Sequence, residues 1–215
     1  MGTTAVNATV PPVLLITDPS LGPLLPERVA AALAGGVRHL LVRHKDANAN
    51  TLLTLAQTLQ PITQQHGAVL LIHDRLDIAL ALQAAGIHLP ENGLPTRVAR
   101  RLLPHGIIGR SCHSVAHAQQ ALQEGADYVT LSPVFATRSH PQAKPLGLEQ
   151  FRLWREQING PVLALGGVTP ANAPLLRQAG ADGVALMRGL LEEERPETAA
   201  YALICKISHG LAEHG

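Results

Sequence analysis

The sequence predicts an α/β fold, a single-domain (β/α)₈ TIM barrel. Three observations carry this. Eight short apolar runs alternate with helix-like segments, at a spacing of about 25 residues. The runs are continuously apolar rather than alternating, as strands covered on both faces must be. The chain has 215 residues, 46% apolar and 15% charged, which is enough apolar surface for one large core and excludes wholesale disorder. A doubly wound open sheet is the alternative, but it usually has fewer strands.

The elements follow in order. The first run is Val13-Leu14-Leu15-Ile16-Thr17, and a helix over Pro26–Ala34 ends at Gly35-Gly36. Leu40-Leu41-Val42 is the second strand, followed by a helix over Thr51–Gln65 that His66-Gly67 closes. Val69–Ile72 is the third strand and Asp77–Ala85 its helix, with Gly86 as the stop. Ile87-His88-Leu89 and Ile107-Ile108-Gly109 flank a helix over Thr96–Leu103. Ser114 is an N-cap for the helix that runs to Glu124, with Gly125 at its end. Tyr128–Leu131 is the sixth strand, and a long loop, Ser132–Gly147, leads to a helix over Leu148–Gln157. Val162–Leu165, a helix over Thr169–Gln178, Gly183–Met187 and a helix over Glu197–Leu211 complete the pattern. No linker interrupts it, so residues 12–215 are expected to be one domain and residues 1–11 an N-terminal extension.

Composition narrows the function. Lys plus Arg is 17 and Asp plus Glu is 16, so no basic field points to nucleic acid. Only five aromatic residues (Tyr128, Phe135, Phe151, Trp154, Tyr201) leave little for base stacking. The 11 histidines are dispersed, without HExxH or tight ligand spacing. Cys112 and Cys205 form no CxxC and are expected to be free thiols. Met1–Pro11 lacks the pattern of a signal peptide, and no apolar run spans a bilayer. A cytoplasmic protein with no membrane or nucleic-acid partner is therefore expected, and homo-oligomerisation is left open.

Active sites of such barrels lie at the C-terminal ends of the strands. That rule selects Asp18, then Arg43, His44, Lys45 and Asp46, then His73 and Asp74, then Glu91 and Asn92. It continues with Ser111, Cys112 and His113, then Thr137, Ser139, His140 and Lys144, and ends with Gly166, Gly167, Met187 and Arg188. Gly166-Gly167 allows backbone N–H groups to approach an anion, unless the pair serves only a tight turn. Arg43 and Lys45 share a face and suit a phosphate or diphosphate, or else pair with Asp46 or Asp74. Asp74 is one carboxylate and holds Mg²⁺ weakly unless phosphate oxygens complete the shell. His140, His73, His113 and Cys112 are the acid–base candidates, although Cys112 is also a small core residue.

These residues resemble a family, that of thiamine phosphate synthase and its paralogue TenI, the thiazole tautomerase. The motifs that carry the resemblance run from Leu14 to Leu190. They are Val42-Arg43-His44-Lys45-Asp46, His73-Asp74-Arg75-Leu76-Asp77, Gly86-Ile87-His88-Leu89-Pro90 and Ile108-Gly109-Arg110-Ser111. Further on are Ser132-Pro133-Val134-Phe135-Ala136-Thr137, Ala164-Leu165-Gly166-Gly167 and Gly180-Ala181-Asp182-Gly183. The resemblance implies a phosphorylated thiazole as ligand, with its phosphate at Gly167 and the backbone near Met187 and Arg188. It implies that Arg43, Lys45, Asp74, Ser111, Thr137 and Ser139 fall on diphosphate, metal and substrate positions.

The chain departs from the synthase pattern. A Gln of that pattern is Leu41, its Asn-Asp pair is His73-Asp74, and its second metal Asp is Gly93. Its Thr-x-Thr-Lys is Thr137-Arg138-Ser139-His140. A His of one TenI pattern is Pro133. Loss of a metal carboxylate and a diphosphate Lys weakens ionisation of the leaving group, unless Glu91 or Lys144 substitutes. The expectation is therefore a TenI-like tautomerase acting without metal, with Lys45, His73, Cys112 and His140 as catalytic candidates. The alternatives are a divergent, Mg²⁺-dependent synthase and a non-catalytic thiazole or thiamine phosphate binder.

Overall fold

The computed structural model describes residues 10–139 and 141–209. Eight parallel strands close into a barrel in sequence order, β1 pairing with both β2 and β8. They are β1 (Val13–Ile16), β2 (His39–Val42), β3 (Val69–His73), β4 (Gly86–Leu89), β5 (Ile107–Cys112), β6 (Tyr128–Leu131), β7 (Val162–Leu165) and β8 (Gly183–Leu186). The helices are α1 (Leu25–Ala34), α2 (Ala49–Gln65), α3 (Leu76–Ala81), α4 (Thr96–Leu102), α5 (Val115–Gln123), α6 (Gly147–Glu156), α7 (Ala173–Gln178), α8 (Arg188–Leu191) and α9 (Pro196–His209). Every strand expected from the sequence is present, and the part of the last helix expected beyond residue 209 lies outside the described residues.

The continuous apolar runs are explained by two cores. Leu14, Leu41, Leu71, Ile107, Leu163 and Ala185 point inward and fill the barrel. Their neighbours, among them Leu15, Leu40, Leu70 and Val184, point outward against Val29, Leu33, Leu59 and Leu203 of the helices. Alternation along each strand thus sends successive apolar side chains into different cores.

Two helices, α3 and α7, begin or end more than two residues from where expected, each for a local reason. The chain leaves α3 at Ala81 because Gln83 takes φ +50° and Ala84 N–H bonds back to Ala79 O. Residues 169–172 form a turn, not helix, because Asn172 accepts from Thr169 N–H and donates to Gly167 O. The Ser114 cap is as expected, with its hydroxyl accepting from His117 N–H at 3.2 Å.

The floor of the barrel, at the N-terminal ends of the strands, carries one device twice. Arg100 donates to Gly125 O and Leu103 O and pairs with Asp127 at 2.7 Å, and Asp127 accepts Ile108 N–H. Arg155 donates to Gly180 O and Ile158 O and pairs with Asp182 at 3.0 Å, and Asp182 accepts Val162 N–H. Both glycines have positive φ and lie under the Cγ of their arginine. Each clamp ties a helix end to the start of a strand, which leaves the opposite end of the barrel for chemistry.

Candidate functional site

A cavity of about 1240 Å³ opens at the C-terminal ends of the strands. Ile16, Leu41, Leu165 and Ala185 line it, as do the polar groups Arg43, Lys45, His73, Asp74, His88 and Ser111. Thr137, Ser139, Gly166, Gly167, Met187 and Arg188 line it too, as do His44, Glu91, Asn92 and His113, so all of these but His88 and the four apolar residues were selected from the sequence. Of the selected residues, Asp18, Asp46, Cys112 and Lys144 are not part of the lining, and His140 lies outside the described residues.

The β2 side is held by Thr17. This fully buried hydroxyl donates to Arg43 O and accepts Arg43 N–H, each at 2.8 Å, so the end of β1 anchors the backbone of Arg43. Burial pulls Arg43 below its ordinary value, with Asp46 and Asp18 opposing that shift. No ion pair holds Arg43 or Lys45 among the described residues, so the cavity receives both cations. Arg188 differs. Its guanidinium is engaged by Asp18, which in turn accepts from Ser20. The contact to Asp18 is made through Nε, and Arg188 still lines the cavity.

The β7 side is built from backbone. Gly166 and Gly167 have φ +96° and +64°. A Cβ on Gly166 would stand 2.7 Å from Pro133, and one on Gly167 2.5 Å from Ala136 O. The loop after β6 therefore presses on the glycine pair, and Phe135 N–H bonds to Gly166 O. Both glycines are required here by conformation and by space.

The β3 and β4 loops meet at Asp74, a non-glycine residue at φ +63°. Its Oδ1 is 2.9 Å from where a Cβ on Gly93 would lie, and Pro90 Cδ is 2.8 Å from the same point. Arg110 pins this loop by donating to Glu91 O and Leu94 O, both at 2.6 Å. Asp74 thus occupies the space beside position 93, and Glu91 is taken by His117 at 2.6 Å. No group of three or more His, Cys, Asp and Glu able to hold a metal occurs among the described residues. The donor set therefore does not fit a Mg²⁺ site built by two protein carboxylates.

The acid–base candidates separate by burial. His73 projects into the cavity, and burial and the Arg43 charge hold its imidazole neutral, lowered to about 4. His113 lies at the exposed rim with Nδ1 2.6 Å from Ser132 O. Cys112 is turned outward into the helix-side core, 1% exposed, and burial pushes its thiol up to about 12. Strand alternation places Ser111 in the cavity and Cys112 behind the wall, which corrects its selection as a catalytic candidate.

Two buried groups went unselected from sequence. His88 Nε2 lies 2.9 Å from Ser111 Oγ, and His88 Nδ1 3.1 Å from Tyr128 Oη. The His73 and His88 rings stack at 6.3 Å. His88 was visible only as part of the Gly-Ile-His-Leu-Pro motif, and a lone His among apolar residues reads as core.

Fold and cavity together define a (β/α)₈ barrel with a single large polar-rimmed mouth among the described residues. The family profile described as Thiamine monophosphate synthase (TMP-TENI) matches residues 13–190. A putative thiamine-phosphate synthase of Geobacter sulfurreducens is 46% identical over 178 residues, 82% of this chain and 84% of that protein. A thiamine-phosphate synthase of Chloroflexus aurantiacus is 35% identical over 181 residues, 84% of each chain. The solved structure of a thiamine phosphate pyrophosphorylase from Pyrococcus furiosus superposes with a TM-score of 0.83 at 33% identity, covering 93% of this chain and 96% of that one. The chain belongs to the thiamine phosphate synthase/TenI family of thiamine-biosynthesis enzymes. No helix among the described residues is long and apolar enough to cross a membrane.

Proposed function

We propose that this chain is a thiamine phosphate synthase that joins an aminopyrimidine diphosphate to a thiazole phosphate. The names of its relatives favour this reading over the tautomerase expected from the departures. The observation that carries it is a cavity with two separate anion-binding ends. Arg43 and Lys45 stand on the β2 side of β1, and Gly166 and Gly167 on the β7–β8 side. At about 1240 Å³ the cavity exceeds the usual volume of a one-ligand pocket, ~300–1,000 Å³.

In the reaction the C–O bond between the pyrimidine methylene and the diphosphate breaks, and the diphosphate leaves with the electron pair. The thiazole nitrogen lone pair forms the new C–N bond to that methylene. Arg43 and Lys45, with the Thr137 and Ser139 hydroxyls, receive the charge that develops on the diphosphate. Backbone N–H groups at Gly166 and Gly167 hold the thiazole phosphate. Ile16, Leu41, Leu165 and Ala185 take the two rings and exclude water. Residues 12–215 act as one barrel domain, and 1–11 precede it.

The second reading is a thiazole tautomerase. The observation that favours it is the glycine beside Asp74, since a proton shift needs no diphosphate-bound metal. Neutral His73, facing the cavity, is its proton carrier.

The test is formation of thiamine phosphate, with release of diphosphate and CO₂, from aminopyrimidine diphosphate and carboxylated thiazole phosphate, with and without Mg²⁺. Product supports the synthase. No product, with acceleration when an authentic synthase is added, supports the tautomerase. Saturable thiazole phosphate binding with neither effect leaves a binding protein.

A further inference from the structure

One layer of the barrel interior is shared by three neighbouring strands. His88 on β4, Gly109 on β5 and Tyr128 on β6 are partners in strand register. A Cβ on Gly109 would stand 2.4 Å from His88 Nδ1 and 2.3 Å from Tyr128 Cζ. The glycine therefore leaves the space in which imidazole and phenol meet. Tyr128 is fully buried, His88 is buried with an edge on the cavity, and Ser111, two residues beyond Gly109 on β5, lines the cavity.

The protons in this row can be assigned by counting partners. Burial and the nearby His73, Arg110 and Arg43 hold His88 neutral, at about 3, and burial pushes the Tyr128 phenol up. A neutral imidazole carries one N–H, and the phenol carries one O–H. Among the described residues His88 Nδ1 is the one hydrogen-bond partner of the phenol. Leu14, Leu41, Leu71, Ile107 and Leu163 share the barrel core with it, and the buried polar atoms His39 Nδ1 and Thr130 Oγ1 do not reach it. If Nδ1 held the imidazole proton, the phenol proton would be buried without an acceptor, which is unfavourable. If the phenol donates to Nδ1, the proton sits on Nε2 and is donated to Ser111 Oγ. The phenol and imidazole protons of the row then each have an acceptor, and the Ser111 proton is left for the cavity.

We propose that Tyr128, His88 and Ser111 form a hydrogen-bond relay of fixed polarity, which makes Ser111 Oγ–H a donor to an acceptor atom of the bound substrate. His88 and Tyr128 are positioning residues, and no proton leaves the row. The relay selects for a ring nitrogen or phosphate oxygen at Ser111 and against an N–H or O–H group there. It rests on the proposed synthase reaction for the identity of that substrate.

Imidazole ¹⁵N correlation spectra of ¹⁵N-histidine-labelled full-length protein test the relay without turnover. His88, assigned by the signal lost in His88→Gln, is expected as the Nε2–H tautomer at neutral pH. Tyr128→Phe removes only the phenolic hydroxyl and is expected to shift His88 towards the Nδ1–H tautomer. An Nδ1–H tautomer in the wild type, or no change in Tyr128→Phe, overturns the proposal. In turnover, Tyr128→Phe is expected to lower kcat about 3- to 10-fold, the effect of one hydrogen bond, with both KM values near the wild type. It is expected to have no further effect in a Ser111→Ala background. Additive losses in the double variant would reduce Tyr128 to packing and overturn the relay. Absence of turnover in the wild type would remove the synthase reading alone, because the tautomer measurement stands without it.

Discussion

The two sides of the mouth are built by different means. On the β7 side the wall is formed by main-chain atoms, fixed by two left-handed glycines that the loop after β6 presses against. On the β3 and β4 side they are side chains on short loops, with Asp74 alone beside Gly93. The departures from the synthase pattern at Leu41, His73 and Gly93 fall on the β2–β4 side, and those at Ser139 and His140 in the loop after β6. The glycine pair is retained. Backbone can be replaced only by refolding a loop, whereas a side chain is exchanged by one substitution. The end proposed for the thiazole phosphate is therefore the fixed part of the mouth, and the end proposed for the diphosphate the adjustable one.

The largest expected effect breaks the fixed side. Gly167→Trp places a bulky residue at positive φ against Ala136 O. Affinity for thiazole phosphate, read by calorimetry, is expected to fall about 100-fold or more, with the barrel still folded by circular dichroism. Undiminished affinity would remove the phosphate from this loop.

A smaller effect sharpens the adjustable side. Gly93→Asp adds a carboxylate beside Asp74, after Pro90 gives way. Inorganic diphosphate binding is expected to tighten about tenfold on adding Mg²⁺ in this variant, as one added charge-assisted contact would give. An equal Mg²⁺ response in the wild type would show that Asp74 and the diphosphate suffice.

The least effect on binding comes from the floor that both sides share. His39 is 7% exposed, its Nδ1 has no partner, and burial lowers it to about 4. In the unfolded chain it titrates near 6.5, so between these values the unfolded state binds the extra proton. Its neutral form therefore contributes stability fully above about pH 6.5, and that contribution is lost as pH falls towards 4. Urea midpoints are expected to drop across this window by more in the wild type than in His39→Gln. Parallel curves would show that His39 is hydrated in the native state.

Most of the fold was legible because each strand is a continuous apolar run bounded by Gly, Pro or polar residues. The mouth was legible because the barrel rule converts strand ends into a residue list. Three things depended on register between strands, which a single sequence does not contain. The outward turn of Cys112 needs the end of β5, three residues past Ile108-Gly109. The His88–Tyr128 contact needs β4, β5 and β6 aligned on Gly109. The crowding of Asp74 against Gly93 needs two adjacent loops to be placed against each other. In each case neighbours in space are far apart in the chain.

The paired clamps of Arg100 and Arg155 bear on how such a chain can change. Arg100, Leu103, Gly125 and Asp127 recur at one constant separation as Arg155, Ile158, Gly180 and Asp182. Two successive stretches of this barrel therefore read as copies of a single cassette with interchangeable footings. The mouth loops carried by each copy can then be grafted, lengthened or swapped without redesigning what lies beneath them. For an engineer, the molecule offers a socket of standard pitch, and its chemistry is the detachable part.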